Sequence, residues 1–192
     1  LDTGKYPFTL TAVGRDGLVL GKASSEVLIS SPDNGIGKNI VFLAVGDSLT
    51  VRRDNWIHIL HRNMTARNPD FRMIGSHEGD GAPLTAGGPA REAYGGSTAQ
   101  RYLTAWGGNI YRFPTDRTKL MKKNGDVFDY GMKEYFVRYA GDKAPDVIVI
   151  FLGINDIAGA KDENREEKAG NSAITLGRLV DGFRQAAPGA LI

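Results

Sequence analysis

Hydrophobic and polar residues alternate along residues 6–30, and a period of two residues predicts β-strands. The apolar positions on one face of the first strand are Phe8, Leu10 and Ala12. Asp16-Gly17 is a turn signal between this strand and the next, which begins at Leu18 and Leu20. Val27 and Ile29 indicate a further extended segment. We therefore expect two or three antiparallel strands here.

The pattern changes at Asn39, where alternation gives way to continuous apolar runs. "IVFLAV" at 40–45 and "VIVIFL" at 147–152 are rich in β-branched residues, which is typical of strands buried on both faces of a parallel sheet. Between them, "FRMIGS" at 71–76 predicts a short strand.

Two segments have the spacing of amphipathic helices. The first has apolar residues at Trp56, Ile57, Leu60 and Met64 and ends at "NPD", 68–70. The second has them at Leu176, Leu179, Val180, Phe183 and Ala187 and ends at Pro188-Gly189. Alternating strands and helices predict an α/β fold, a three-layer doubly wound (flavodoxin-like) parallel sheet.

We expect three regions along the chain. Residues 1–31 would be the C-terminal strands of a β-sandwich-like domain, because two or three strands are marginally stable alone. Residues 32–39, rich in turn-forming residues, would be a linker, and 40–192 the α/β domain. Residues 190–192 resemble the opening of another strand, so we expect this domain to be incomplete at its C-terminus.

Composition narrows the class of protein. With 192 residues, 41% hydrophobic and 24% charged, the chain has the usual globular mixture. Its 24 basic and 22 acidic residues are interspersed, so we expect no nucleic-acid partner. No apolar run reaches the roughly 20 residues of a membrane span. Without cysteine, the sequence has no disulfide, thiolate metal site or cysteine nucleophile.

Small and polar residues collect at three predicted strand ends. They are Gly46-Asp47-Ser48, the glycine-rich "EAYGGSTAQ" at 92–100 following the second strand, and "GIND" at 153–156. Ligands of open α/β sheets bind outside the carboxyl ends of the strands, so all three segments are expected at one rim.

These segments contain the groups that acyl transfer requires, which are a nucleophile and donors aimed at the developing oxyanion. Ser48 suits the first role, and its own N–H, Gly96 and Asn155 suit the second. Each residue also has a plainer interpretation. Asp47 or Ser48 could simply cap a helix, and Asn155 or Asp156 could do the same or form an Asx-turn.

In combination, "GDSLT", "YGGSTAQRYL" and "FLGIND" resemble the motif blocks of the SGNH family of GDSL-type hydrolases, in the family's order. "FDYGMKEYF" at 128–136 is similar to the segment that precedes the last block in many bacterial members. The resemblance covers about 39–192. It implies that Ser48 is the nucleophile and that the oxyanion hole consists of the Ser48 N–H, the Gly96 N–H and the Asn155 side chain. Asp47, Gly153 and Asp156 would be supporting residues.

The sequence departs from the family in lacking its D-x-x-H motif. The three histidines are His58, His61 and His77. We expect ordinary structural or solvent-exposed roles for them, although His77, which ends the second strand in a loop, could approach the site. The catalytic Asp and His are therefore expected to be outside this chain, and the fragment is expected to be inactive by itself. "HEGDG" at 77–81 lacks the spacing of known metal motifs and is interpreted as a turn, so no metal or cofactor is expected.

The resemblance implies a serine ester hydrolase acting on a small ester or an acylated carbohydrate. The alternative is a non-catalytic glycan- or partner-binding protein on the same scaffold. Its sugar-stacking platform would consist of Tyr102, Trp106, Tyr111 and Phe113, although such aromatic side chains more often pack in the core or in loops. The chain starts at Leu1, so we expect an upstream segment to have been removed. By analogy with the sandwich-like strands that often accompany exported glycan-processing enzymes, the protein is expected to be secreted, periplasmic or on the cell surface.

Overall fold

A parallel sheet lies at the centre of the computed structural model, which describes residues 2–52, 55–63, 69–79, 89–104, 122–124, 127–129, 132–141 and 143–192. The strands are β1 Gly4–Val13, β2 Val19–Ile29, β3 Asn39–Gly46, β4 Asp70–Ile74, β5 Glu92–Ala93, β6 Lys122–Asn124, β7 Val127–Asp129 and β8 Val147–Phe151. The α-helices are α1 Ser48–Val51, α2 Trp56–Asn63, α3 Ala99–Thr104, α4 Met132–Ala140, α5 Ile154–Ile157 and α6 Arg165–Ala186. Short 3-10 helices span Pro32–Gly35 and Asp162–Asn164.

The central strand of the sheet is β3, which pairs in parallel with three others. Its residues 39–43 pair with β4, and Val45 and Gly46 pair with β5. Residues 42–46 also pair with β8, which must therefore lie on the opposite side of β3. A parallel bridge between Val147 and Leu191 continues the sheet beyond β8. The chain thus leaves β3 towards one side and later returns to the other, which makes the carboxyl end of β3 a topological switch point.

Helices cover both faces of this sheet. Successive side chains of β3 point to opposite faces. Val41, Leu43 and Val45 pack in one cluster with residues of α3, α4 and α6, whereas Phe42 and Ala44 pack with Ile57 of α2. This arrangement explains the continuous apolar run, because a strand buried on both faces has no solvent-facing position.

The long helix α6 contributes the expected apolar stripe to the larger cluster. Leu179, Phe183 and Ala187 are almost completely buried there. After the helix, Leu191 receives a hydrogen bond from Ile148 N at 2.8 Å and donates one to Asp146 O at 2.9 Å. The segment predicted as the opening of a strand is therefore paired with β8.

Strands β1 and β2 form a separate antiparallel hairpin. Gly17 has φ 81° in the connecting turn, where Gly14 N donates to Leu18 O at 2.7 Å. Val27 and Ile29 belong to β2 itself and not to a third strand. Large apolar side chains of the hairpin, including Leu10, remain exposed.

The predicted α/β fold class is confirmed. One detail differs from the expectation. The glycine-rich segment at 92–100 does not follow β4 directly but begins with β5, a two-residue strand that continues the edge formed by β4. Helix α2 is described from Trp56 to Asn63, and Met64 and Asn68, which were predicted at its end, lie outside the described residues. Within the described ranges, no helix is long and apolar enough to cross a membrane.

Candidate active site

The carboxyl ends of β3, β5 and β8 are adjacent because Gly46 pairs with both Ala93 and Phe151. The chain turns out of the sheet after each of these residues. The three motif segments predicted from the sequence start at these points, so the parallel register brings them to one rim of the sheet.

Asp47 caps the short helix that follows β3. Its Oδ1 accepts the backbone N–H of Leu49 at 2.9 Å, and its carbonyl accepts those of Thr50 and Val51. The buried Asp47 therefore supplies the cap, and Ser48 is the first residue of the helix. The half-buried Ser48 hydroxyl has no hydrogen bond to any residue in the described part of the chain.

Gly46 allows α1 to pack closely against the end of β3. A Cβ atom at this position would lie 2.2 Å from Thr50 Oγ1 and 2.4 Å from Thr50 Cβ. Thr50 is completely buried, so the helix cannot easily move away. The glycine before the Asp-Ser pair is thus required by sterics.

The glycine-rich segment forms a tight turn from Tyr94 to Ser97. Ser97 N donates to Tyr94 O at 3.1 Å, and Tyr94 N donates to Gly46 O at 3.2 Å, which ties the turn to β3. Gly96, the third residue of the turn, has φ 69°, a conformation that favours glycine. The turn presents Gly96 at the surface while Ser97 is buried.

Asn155 lies between the first two segments. Its Nδ2 donates to Ser97 O at 3.0 Å and to Asp47 Oδ2 at 3.3 Å. Asn155 is in the first turn of α5, which begins after Gly153 as its N-cap residue. One side chain from the third motif therefore contacts the residue before Ser48 and the residue after Gly96.

Asp156, the next residue of α5, connects this helix to α3. Both oxygens of its carboxylate lie close to the backbone N–H of Ala99, at 3.0 and 3.1 Å. Ala99 is the first residue of α3, so this contact holds the start of α3 against the start of α5. Asn155 and Asp156 together keep the glycine-rich turn next to the end of β8.

Two backbone donors at this rim are available. The N–H groups of Ser48 and Gly96 make no hydrogen bond within the described part of the chain. Gly96 is exposed and Ser48 is half-buried, so neither group is sealed inside the protein. A ligand oxygen at this rim can therefore accept hydrogen bonds from these two N–H groups.

Arg91, which the sequence patterns did not single out, is a buried clamp behind α1. Its guanidinium donates to Val51 O at 2.9 Å and to Pro89 O at 3.2 Å, and it contacts His58 Nε2 at 3.1 Å. Arg91 N also donates to His77 O at 2.9 Å. Because the side chain is completely buried, it fastens the segments around the helix that carries Ser48.

Glu92 was also missed, although it stands at the head of the glycine-rich block. It is completely buried, and Ser76, Tyr94 and Tyr135 contact its carboxyl group. Burial raises the pKa of Glu92 above its usual value, since the hydrogen bonds offset the desolvation only in part. A buried acidic residue is not recognisable from sequence alone, because acidic side chains are mostly exposed.

Two of the three histidines, His58 and His77, make contacts elsewhere. His58 Nε2 accepts from the permanently charged Arg91, so this nitrogen carries no proton. His77 is buried, and its Nδ1 accepts from Gly79 N at 2.9 Å. No histidine forms a hydrogen bond with Ser48 in the ranges that the structure describes.

Tyr102 does not belong to an exposed aromatic platform. It is buried, and its hydroxyl lies 2.6 Å from Gly46 O and 2.8 Å from Glu92 O. Trp106, Tyr111 and Phe113, the other predicted members, lie outside the described residues, as does the end of "HEGDG" from position 80. Among the described side chains, no cluster of three or more His, Asp or Glu residues could hold a metal ion.

A comparison with protein families agrees with the motif blocks. The family model described as GDSL-like Lipase/Acylhydrolase matches residues 42–190. A similar solved structure is an acetyl esterase mutant with an acetate ion, at 14% identity and a TM-score of 0.43. The match covers 78% of this chain and 57% of that one, so this chain spans little more than half of the esterase's length. No curated protein matches this sequence significantly.

Proposed function

The chain belongs to the GDSL-like lipase/acylhydrolase family, and from this premise we propose that it hydrolyses esters with Ser48 as the nucleophile. The single observation that supports this assignment best is the position of Asn155. Its side-chain amide contacts Asp47 and Ser97, the chain neighbours of Ser48 and Gly96. The serine hydroxyl and three candidate oxyanion donors thus belong to segments in direct contact.

In the proposed mechanism, Ser48 Oγ bonds to the ester carbonyl carbon while a base takes its proton. The carbonyl oxygen becomes negative, and the tetrahedral intermediate then breaks the bond to the alcohol, which leaves with the proton. Water repeats the sequence on the acyl-enzyme. It forms the carboxylic acid and restores the Ser48 hydroxyl.

The oxyanion would be stabilised by the backbone N–H groups of Ser48 and Gly96 and by Asn155 Nδ2. The two backbone groups have no partner among the described residues, so a substrate oxygen would displace no protein acceptor there. Asn155 already uses both of its Nδ2 protons, but the contact to Asp47 is long at 3.3 Å. We propose that in the transition state this N–H of Asn155 donates to the substrate oxygen instead of to Asp47.

The base is proposed to be a histidine, held by an aspartate, that this sequence does not contain. The contacts of the local histidines support this idea. His58 Nε2 is occupied by Arg91, and His77 Nδ1 by Gly79 N. A base must come within about 2.6–3.2 Å of the Ser48 hydroxyl, and no histidine makes that contact in the described structure.

The proposed substrates are small esters or acyl groups on carbohydrate, outside the cytoplasm. Membership of an acylhydrolase family supports the acyl ester. The proposal that the acyl group is carried by carbohydrate goes one step further. It rests on the antiparallel hairpin that precedes the α/β domain, which we propose to be part of a β-sandwich.

The proposal is tested with Ser48→Ala in the complete natural protein. Hydrolysis of 4-nitrophenyl acetate is expected to fall to the background rate, since no nucleophile remains. Ser25→Ala, on the exposed face of the hairpin, is the matched control and should leave turnover unchanged. Equal turnover in Ser48→Ala and wild type would refute the mechanism, and glycan binding without any turnover would favour the non-catalytic alternative.

A further inference from the structure

A buried carboxyl group lies directly behind the proposed site. Glu92 is paired with Val45 in the sheet, one position before the Gly46–Ala93 pair at the rim. Its neighbour Arg91 directs its guanidinium to Val51 and His58. Neighbouring strand residues alternate between faces, so the Glu92 side chain points to the other face, where it contacts Tyr135 of α4.

The two oxygens of Glu92 have different surroundings. Oε2 accepts from Ser76 N at 3.2 Å and from the Tyr135 hydroxyl at 2.8 Å. Oε1 lies in a triangle with two hydroxyl oxygens, at 3.2 Å from Ser76 Oγ and within hydrogen-bond distance of Tyr94 Oη. The third side of the triangle, between Ser76 Oγ and Tyr94 Oη, is 2.9 Å.

The number of protons in this triangle depends on the ionisation of Glu92. Each of the three contacts needs one proton, and each hydroxyl supplies one. With an ionised carboxylate, only two hydroxyl protons serve the three contacts, so one contact brings two oxygens together with no proton between them. With a protonated Oε1, three protons serve three contacts in a closed ring. All three contacts can be hydrogen bonds only if Glu92 is a neutral acid.

We propose that Glu92 is a neutral carboxylic acid in the folded protein and a positioning residue for the turn that carries Gly96. The second half of this statement rests on the function proposed above. Tyr94 is both a member of the ring and the first residue of the turn, whose last residue, Ser97, donates to Tyr94 O. The ring therefore sets the starting point of the turn and hence the direction of the Gly96 N–H.

The surroundings of the carboxyl group favour the uncharged form. The groups that face it are the hydroxyls of Ser76, Tyr94 and Tyr135, with Tyr102 and Tyr139 nearby. No Lys or Arg contacts the Glu92 carboxyl group in the described part of the chain. Burial also raises the pKa of Tyr94, Tyr102 and Tyr135, so these neighbours are neutral as well.

The protonation state is tested by the pH dependence of stability, which needs no substrate. The usual pKa of Glu92 is 4.5, so above that pH the unfolded chain releases a proton that the folded protein retains. The stability that this group contributes is complete below that pH and is lost as pH rises towards the folded pKa. Glu92→Gln keeps a neutral acceptor and donor but cannot release a proton.

Urea unfolding of wild type and Glu92→Gln is compared from about pH 4.5 to about pH 8. The folding constant of the Gln variant, divided by that of wild type, is expected to rise by up to tenfold per pH unit until the folded pKa is passed. A ratio that is constant across this range, or that falls, would overturn the proposal. Asn171→Ala, on the exposed surface of α6, removes no titratable group and is the control, so its ratio should be flat.

The positioning role is tested by rescue. Glu92→Leu removes the hydrogen-bonded ring of Glu92, Ser76 and Tyr94. It is expected to lower kcat by about 10- to 100-fold with little change in KM, because the Gly96 N–H is displaced while the surface that binds the substrate is kept. Glu92→Gln is expected to recover most of this loss. Equal damage in both variants would contradict the neutral acid. Tyr94→Phe, which removes one member of the ring, should also lower kcat, whereas Tyr139→Phe should not.

These results separate the two proposals. If Ser48→Ala keeps its turnover while the stability ratio rises with pH, the proposed mechanism fails and the neutral Glu92 stands. If Ser48→Ala abolishes turnover and the stability ratio stays flat, the mechanism stands and the neutral Glu92 fails.

Discussion

The side-chain amide of Asn155 lies 3.3 Å from the carboxylate of Asp47, although 108 positions separate the two residues. The same amide nitrogen lies 3.0 Å from Ser97 O. Asn155 is therefore the link between the strand end before Ser48 and the glycine-rich turn. Its contacts make it both a structural cross-link and a candidate oxyanion donor.

Asn155→Ala is expected to lower kcat by about 10²–10³ with a small change in KM, since the lost donor acts on charge that develops in the transition state. The measurement is steady-state hydrolysis of 4-nitrophenyl acetate by the complete natural protein. Asn171→Ala, on the exposed surface of α6, serves as the control. A higher KM with unchanged kcat would instead assign Asn155 to ground-state binding.

Gly46→Ala is expected to destabilise the fold by about 1–3 kcal/mol, because its Cβ would overlap the buried Thr50. Any shift of α1 to relieve this overlap would also move Ser48. Gly95→Ala is a matched control, since its Cβ would meet no atom within 4 Å, and a change within about 0.5 kcal/mol is expected. Urea unfolding measures both variants, and equal stabilities would contradict the close packing described.

Arg91→Lys is expected to cost about 2–4 kcal/mol, since one ammonium group cannot reach the carbonyls of Val51 and Pro89 together with His58. Because lysine keeps the positive charge, the loss of stability reports the hydrogen-bond geometry of the guanidinium group. Arg178→Lys, on the exposed side of α6, is the comparison. If both variants unfold at the same urea concentration as wild type, Arg91 is not a clamp.

Asp146→Asn tests the contact between the start of β8 and β3. The hydrogen bond from Lys143, followed by that from Val41 N, lowers the pKa of Asp146 below its usual 3.8. The stability from this group is therefore present above that pH and is lost as pH falls through the lower folded pKa. Because the side chain is partly exposed, the difference from wild type is expected to stay within about 1 kcal/mol.

The measurement for Asp146→Asn is urea unfolding at about pH 6 and about pH 3. The advantage of wild type over the variant should be present at the higher pH and shrink at the lower one. An advantage that grows as the solution becomes more acidic would show that the carboxylate is not stabilised by its partners.

The sequence was sufficient for the parts of this protein that depend on local pattern. Continuous apolar runs identified β3 and β8, because strands buried on both faces have no polar position. The spacing of Leu179, Phe183 and Ala187 identified the buried face of α6. The three motif blocks identified the family, since their order along the chain is itself the signal.

Tertiary structure decided the questions that depend on contacts between distant segments. Asp47, and not Ser48, proved to be the helix cap, and Tyr102 proved to be a buried residue that contacts two carbonyls. The burial of Arg91 and Glu92 could not be seen in the sequence, where charged residues next to a glycine-rich block are typical of a surface loop. The physical reason is that burial and hydrogen bonding belong to an environment assembled from several strands and helices, whereas a sequence pattern records only the neighbours along the chain.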